Sequence, residues 1–275
     1  MESNFIAKKI WDGTIPNGET TIKLFFSILK FVMKKKIYQF VPVILFLICS
    51  RFSLSLNEAM KLRLDSEFSS PHSISKTFTE EKIAVFGDSI SIFWPYKFAE
   101  ISKKDVDNFA AGGASYTFPN LYPAAPSIEE QIAKANLSNY QMLIVAAGTN
   151  DWFLGQINLL EFKNTLSRIY TNLSKFNARV VIVIPIHYVD KLIDISNADS
   201  YPNHLTSYRK IIYEEAVNHG FDIINASMFE EFPPVDTDVS KIYMNNLNGD
   251  YLHPSYPVGT DRLAERIYGV LTETK

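Results

Sequence analysis

The stretch KIAVFGDSIS, residues 82–91, joins a short apolar run to a glycine and a serine. Four consecutive apolar residues, 83–86, are typical of a strand that is buried on both faces of a sheet. Gly87 allows a sharp turn, so that Ser89 begins the next helix, where backbone N–H groups and the helix dipole favour developing negative charge. By itself, the tripeptide Gly87-Asp88-Ser89 is also typical of an ordinary turn in which Asp88 or Ser89 caps the following helix.

From Lys82 onward, short apolar runs alternate with longer amphipathic stretches, which is the pattern of repeated strand–helix units. Strands are predicted at residues 83–86, 106–109, 142–146, 180–184 and 222–224, and helices at 127–136, 160–176, 207–218 and 258–271. Together they predict an α/β fold, a three-layer α/β/α sandwich with a five-stranded, mainly parallel, flavodoxin-like sheet. Ligands of such sheets bind beyond the carboxyl ends of the strands.

Small and polar residues follow the second and third predicted strands. The second strand is followed by the sequence NFAAGGAS, residues 108–115. Its glycines, Gly112 and Gly113, let a backbone N–H approach a ligand closely, although a plain loop has the same composition. Gly148-Thr-Asn150-Asp follows the third strand, and the Asn150 amide can donate a hydrogen bond at the carboxyl edge of the sheet. A turn is the alternative interpretation, because Asn and Asp are favoured there.

Near the end of the chain, Asp250 precedes His253 by three residues, in the sequence DYLHP. A carboxylate beside a histidine can hold the ring in one tautomer and stabilise the imidazolium that forms when the ring takes a proton. The pair therefore has the chemistry of a general base with its orienting acid.

The four motifs occur in one order, and together they resemble the blocks of the SGNH hydrolases, also called the GDSL family, from Lys82 to Leu271. The resemblance implies a nucleophile at Ser89, a base at His253 and an orienting acid at Asp250. It also implies an oxyanion hole made of the N–H groups of Ser89 and Gly113 and the side chain of Asn150. Gly112 is adjacent to Gly113, so the identity of the donor glycine stays open.

The activity that the resemblance implies is serine carboxylic-ester hydrolysis through an acyl-serine intermediate, with no cofactor and no metal. Trp152, Phe153 and Tyr188 are candidate substrate-binding residues, with core packing as the alternative for the first two. An O-acetylated carbohydrate at the cell envelope is the preferred substrate. An O-acyltransferase with the same triad, a lipid esterase, a non-catalytic glycan-binding module and a flavodoxin-like nucleotide binder are the alternatives.

The net charge of −3 gives no electrostatic reason to expect a nucleic-acid partner. The family resemblance makes a small-molecule or glycan ester the expected partner. The single cysteine excludes an intrachain disulfide without deciding the compartment.

The amino-terminal region predicts export. Residues 33–55 combine Met33, three lysines and an apolar run, as in a signal peptide or membrane anchor, and this segment is the only part expected to contact a membrane. Residues 1–32 are then a doubtful extension, because translation starting at Met33 would place the signal at the beginning of the chain. Residues 56–80 are interpreted as a linker and 81–275 as the hydrolase domain. The mature protein is expected to be secreted or anchored at the cell surface.

Overall fold

A six-stranded sheet with helices on both faces forms the described part of the protein. The computed structural model describes residues 72–74, 77–117, 125–154, 158–186, 205–232, 238–245 and 252–273. The strands are β1 (His72–Ser73), β2 (Lys82–Gly87), β3 (Asp105–Asn108), β4 (Met142–Ala146), β5 (Arg179–Ile184) and β6 (Asp222–Asn225). Their spatial order is β1-β6-β5-β4-β2-β3. The predicted α/β fold is confirmed, with all five predicted strands in place.

Strands β2 to β6 are parallel to one another, as the apolar runs predict. After β2 the chain adds β3 on one side of it and then crosses over to add β4 on the other side. This is the flavodoxin-like order, in which a crevice opens between the carboxyl ends of the first and third parallel strands. The crevice between β2 and β4 is therefore where the fold itself favours a ligand.

The sixth strand, β1, lies within the segment that the sequence suggested was a linker. Its two residues pair antiparallel with β6, His72 with Ile224 and Ser73 with Ile223. Two residues are too few to show a side-chain period, and the pairing uses backbone groups that any residue offers. The five predicted strands are all present, and the structure adds one edge strand that the sequence analysis did not predict.

Seven α-helices accompany the sheet in the described part of the chain. They are α1 (Trp94–Ser102), α2 (Ile128–Lys134), α3 (Thr149–Leu154), α4 (Leu159–Leu173), α5 (Leu205–Asn218), α6 (Asp238–Tyr243) and α7 (Val258–Thr272). The four predicted helices correspond to α2, α4, α5 and α7. The Ser127 hydroxyl and the Glu130 side chain cap α2 reciprocally, which explains why it begins at that point. The three unpredicted helices are six to nine residues long, and in α1 the helical spacing of the buried Trp94 and Phe98 is a signal that the sequence analysis missed.

Both faces of the sheet are covered by apolar side chains. In β4, Leu143 and Val145 belong to one core cluster, whereas Met142 and Ile144 belong to the other. Helices α4 and α5 contribute to the first cluster, and α1 and α7 to the second. On α4, apolar residues recur at steps of three and four, and Phe162, Leu166, Ile169 and Leu173 are all buried, while Phe176 lies beyond the helix and is 39% exposed. This packing on both faces makes the sheet a rigid support for the residues at its carboxyl edge.

Among the helices that the structure describes, none is both long enough and apolar enough to span a bilayer. The predicted export segment, residues 33–55, lies outside the described residues.

Candidate active site

Ser89 and His253 meet at the carboxyl edge of the sheet. The Ser89 Oγ lies 2.7 Å from the His253 Nε2, although 164 residues separate the two in sequence. With the ring proton on Nδ1, the Ser89 hydroxyl donates a hydrogen bond to Nε2. Both residues are only partly buried, so a substrate can reach the pair.

The turn that carries Ser89 requires glycine at position 87. A β-carbon on Gly87 would lie 2.5 Å from the Ala146 carbonyl oxygen and 2.6 Å from the Ser91 side chain. The Ser91 Oγ donates to the same Ala146 carbonyl at 3.1 Å. The nucleophile turn is therefore packed tightly against the end of β4.

Asp88 caps the short 3-10 helix that follows, Ser89–Ser91. Its Oδ1 accepts the Ile90 N–H at 3.0 Å, and the side chain is buried. Burial raises the pKa of Asp88 to about 7, the nearby Asp151 carboxyl adds to the rise, and the Ile90 N–H opposes it. Within the described part of the chain, its Oδ2 has no partner at hydrogen-bond distance. Asp88 thus fixes the start of the helix at which Ser89 lies.

The His253 backbone is fastened to the end of α6. The Asn245 N–H donates to the His253 carbonyl at 2.8 Å, and the Ser255 N–H donates to the Tyr243 carbonyl at 2.7 Å. Gly259 packs so closely there that a β-carbon would overlap the Tyr243 carbonyl oxygen. The base is therefore held by contacts between two segments and not by a single flexible loop.

Gly113 and Asn150 follow β3 and β4, as expected. Gly113 is buried with φ +78°, a conformation that favours glycine, whereas Gly112 is exposed and its φ is not positive. Asn150 is 7% exposed, and its Nδ2 donates to the Ala114 carbonyl at 2.8 Å. An amide nitrogen carries two hydrogens, so one remains for a ligand.

The remaining predicted site residues fare differently. Asp250 and Tyr188 lie outside the described residues, and their roles stay predictions. Trp152 is 3% exposed and belongs to the core, as the alternative interpretation expected. So little of its ring is exposed that no surface remains for a substrate. Phe153 is 43% exposed and meets the Trp152 ring edge-on at 6.1 Å.

Two positioning residues escaped the sequence analysis. The buried Gln131 of α2 accepts the Gly87 N–H and donates to the Gly87 carbonyl, both at 2.9 Å. Asn108 donates to the Ser91 and Ile92 carbonyls at 3.2 and 3.0 Å, which ties the end of β3 to the nucleophile turn. The only signal for Gln131 is a polar residue on the apolar face of a helix, and its partner lies 44 residues away.

The arrangement offers a nucleophile, a base within hydrogen-bond distance and an amide donor at one sheet edge. Within the described ranges, no three His, Cys, Asp or Glu side chains are grouped so as to hold a metal ion. The Ser89 hydroxyl and the His253 ring, at hydrogen-bond distance, are able to perform acyl transfer assisted by acid and base.

Comparison with solved structures gives three informative likenesses. A Lactobacillus plantarum protein matches with a TM-score of 0.57 and 17% identity over 70% of this chain and 97% of its own. A Parabacteroides merdae protein described as a GDSL-like lipase matches with a TM-score of 0.54 and 15% identity over 73% and 99% of the two chains. An acetylxylan esterase from Geobacillus stearothermophilus matches with a TM-score of 0.51 and 12% identity over 71% and 95%.

No family model and no curated protein sequence matches the chain. The family resemblance of the sequence therefore rests on its four short motifs, and the structural likeness covers nearly the whole length of the three proteins named above. The sheet order, the placement of Ser89, Gly113 and Asn150 after consecutive parallel strands, and these likenesses together show that the chain has the fold of the SGNH, or GDSL, hydrolases.

Proposed function

We propose that this protein is a serine carboxylic-ester hydrolase that works through an acyl-serine intermediate. The observation that carries the proposal is the 2.7 Å contact between the Ser89 Oγ and the His253 Nε2, just after the carboxyl end of β2. A nucleophile and base at this distance are the signature of a serine made reactive by its neighbour.

In the first half of the reaction, His253 takes the proton from Ser89 as the Oγ attacks the ester carbonyl. The carbonyl oxygen becomes an oxyanion, and the C–O bond to the alcohol then breaks as His253 returns the proton to the leaving alkoxide. In the second half, His253 removes a proton from water, hydroxide attacks the acyl-serine, and Ser89 leaves with its proton restored. Asp250 is the orienting acid that the sequence motif assigns to His253.

The oxyanion would receive hydrogen bonds from the N–H groups of Ser89 and Gly113 and from the free hydrogen of the Asn150 amide. The Ser89 N–H lies at the first position of a helix, where it has no acceptor within that helix. Donors of this kind act in the transition state, and each typically contributes ~2.7–4 kcal/mol.

An O-acetylated carbohydrate is the proposed substrate. Phe93 and Tyr256 form an exposed aromatic pair with ring centroids 4.9 Å apart, at 46% and 72% exposure. Phe93 comes four residues after the nucleophile and Tyr256 three residues after the base. Aromatic surfaces of this kind suit the flat face of a sugar ring, and one structural neighbour is described as an acetylxylan esterase. A lipid ester is the alternative, because the same rings would accept an acyl chain.

The activity is tested with p-nitrophenyl acetate and the full chain. We expect Ser89→Ala and His253→Ala each to lower kcat/KM by about three orders of magnitude, because the serine and histidine act as one unit. Ser138→Ala, on an exposed turn, and His219→Ala, at the end of α5, are matched controls that should leave kcat/KM unchanged. Full activity of the Ser89 variant would reject the assignment.

The substrate class is tested with acetylated xylan and with p-nitrophenyl esters from acetate to laurate. We expect Tyr256→Ala and Phe93→Ala to raise KM for the glycan several-fold while turnover of p-nitrophenyl acetate stays unchanged. Phe176→Ala, an exposed ring beyond the far end of α4, is the control. Preference for laurate, lost in the same two variants, would instead favour the lipid esterase.

Hydrolase and acyltransferase share every step up to the acyl-serine, and they differ in whether water or a sugar hydroxyl attacks it. Product analysis with an acetyl donor and a glycan acceptor distinguishes them. We expect free acetate to be the main product, and net transfer to the glycan exceeding hydrolysis would contradict the proposal.

We propose that the enzyme is exported and acts at the cell surface, as the sequence of residues 33–55 indicates. Sequencing the amino terminus of the mature protein tests this. Cleavage after the apolar run is expected for a secreted form, and an intact segment in the membrane fraction for an anchored form.

A further inference from the structure

Asp151 is a buried carboxylate next to Asn150 that the proposed reaction does not use. It is 1% exposed. Its Oδ2 accepts the Tyr116 N–H at 3.0 Å, and its Oδ1 accepts the Thr117 N–H at 2.9 Å and the Thr117 hydroxyl at 2.5 Å. Both carboxyl oxygens are thus engaged by the segment that follows β3.

Asn150, which comes directly before Asp151 in α3, binds the same segment, because its Nδ2 donates a hydrogen bond to the Ala114 carbonyl. Two consecutive helix residues therefore bind three of the four loop positions that follow Gly113: Asn150 binds Ala114, and Asp151 binds Tyr116 and Thr117. Gly113 itself has no side chain that could fix its place. The position of its N–H relative to the Asn150 amide is set by these bonds.

A carboxylate suits this position because it accepts hydrogen bonds at both oxygens and donates none when it is ionised. An asparagine would turn an NH2 group toward either Tyr116 or Thr117, and at least one bond would be replaced by a clash of donors. Desolvation raises the pKa of Asp151, and the Thr117 hydroxyl and the two N–H groups oppose the rise. The segment therefore supplies the donors that a buried charge needs.

We propose that Asp151 is a positioning residue that holds the Gly113 and Asn150 donors of the oxyanion hole at a fixed separation. The proposal rests on the proposed function, since it assigns those two groups to an oxyanion. A loss of alignment should act on the transition state and not on substrate binding, because the oxyanion forms only during the reaction. A displacement of about 1 Å can cost roughly 100-fold in rate.

The test uses Asp151→Asn and Thr117→Val in the full chain, with Asp222→Asn as the control. Asp222 is also buried and hydrogen-bonded, to Arg179 at 2.6 Å, but it begins β6 and lies at the opposite, amino edge of the sheet. We expect Asp151→Asn to lower kcat for p-nitrophenyl acetate roughly 10- to 100-fold, with KM within about twofold. Thr117→Val should lower kcat less, and Thr117→Ser should restore it.

Asp222→Asn should lower the unfolding temperature while kcat, measured well below that temperature, stays within about twofold of the wild type. The backbone amide resonance of Gly113 should shift in Asp151→Asn and not in Asp222→Asn. An unchanged kcat in both Asp151→Asn and Thr117→Val, or a change in KM alone, would overturn the proposal.

A failure of the proposed function gives a different result. In that case the wild type and Ser89→Ala would be equally inactive toward esters, whereas the Gly113 resonance would still report whether Asp151 sets the position of that loop. If Asp151→Asn fails to fold, kcat and the Gly113 resonance in Thr117→Val decide the question.

Discussion

The position of Ser89 is set by hydrogen bonds that neighbouring side chains make to the backbone around it, more than by its own side chain. The Gly87 amide and carbonyl are both bonded by Gln131, the Asp88 carboxyl caps the helix that Ser89 begins, and Ser91 is hydrogen-bonded to the end of β4. A serine hydroxyl in a solvated turn would adopt several rotamers, whereas this backbone presents it toward His253. The reactive geometry is therefore built into the turn before any substrate arrives.

At this scale the buried Asp88 carboxyl predicts a dependence of stability on pH. Its pKa is raised by burial from 3.8 to about 7, so the folded protein holds the proton more tightly than the unfolded chain does. A carboxyl with a raised pKa favours folding while it is protonated, and this contribution is lost as the pH rises from about 4 to about 7.

We expect the free energy of unfolding of the wild type to fall relative to that of Asp88→Asn across this range, by on the order of 4 kcal/mol in total. Asparagine keeps an oxygen that can accept the Ile90 N–H. Urea unfolding at several pH values between 4 and 8 measures the difference. Parallel stability curves for the two proteins would show that Asp88 is ionised throughout.

At the scale of elements, the site is assembled from the ends of three strands and the beginnings of the helices that follow. Each donor of the proposed oxyanion hole lies on a different segment, after β2, β3 or β4. Alignment therefore depends on bonds between segments, of which the Asn108, Gln131 and Asp151 side chains supply several.

The contact between α2 and the nucleophile turn predicts the effect of removing one such bond. Gln131→Met keeps the side-chain volume but leaves the buried Gly87 N–H without its acceptor, which typically costs about 1–3 kcal/mol. We expect that loss in urea unfolding together with a lower kcat, because the turn carries Ser89. Lys134→Met, exposed on the same helix, should change stability by less than ~0.5 kcal/mol and leave kcat unaltered.

At the scale of the whole molecule, the two edges of the sheet have different roles, because one carries the candidate site and the other carries contacts that stabilise the fold. The carboxyl edge carries the candidate site. At the amino edge, the buried Arg179 of β5 joins Asp222 of β6 at 2.6 Å and Glu80 at 3.3 Å. These contacts connect neighbouring strands and fasten the segment that leads into β2.

Breaking this pair should therefore weaken the fold without altering the chemistry. We expect Arg179→Met to lower the free energy of unfolding by about 3–5 kcal/mol, because Asp222 would keep a buried charge without the guanidinium. Arg179→Met combined with Asp222→Leu should recover much of the loss, and kcat should stay near the wild-type value in both proteins. A double variant as unstable as the single one would show that packing, and not the lost ion pair, accounts for the effect. Urea unfolding and p-nitrophenyl acetate turnover measure the two properties.

Much of the fold could be predicted because its signals are local. The apolar run of residues 142–146 and the periodic stripe of Phe162, Leu166 and Ile169 are visible in a short window, and both elements are present. The contact between Ser89 and His253 was also predictable, since each residue lies in a recognisable motif. The edge strand His72–Ser73 was missed, because its pairing uses backbone groups and is not encoded by a side-chain pattern.

The sequence by itself determined the five parallel strands, four of the helices and the side of the sheet on which Ser89 and His253 meet, because these follow from short patterns and from the common direction of parallel strands. Tertiary structure alone decided that Gly113 and not Gly112 is buried at a positive φ, that Trp152 belongs to the core, and that Gln131 and Asp151 brace the site. The physical reason is that burial and hydrogen-bond partnership depend on groups tens of residues away, whose approach is fixed only when both faces of the sheet are packed.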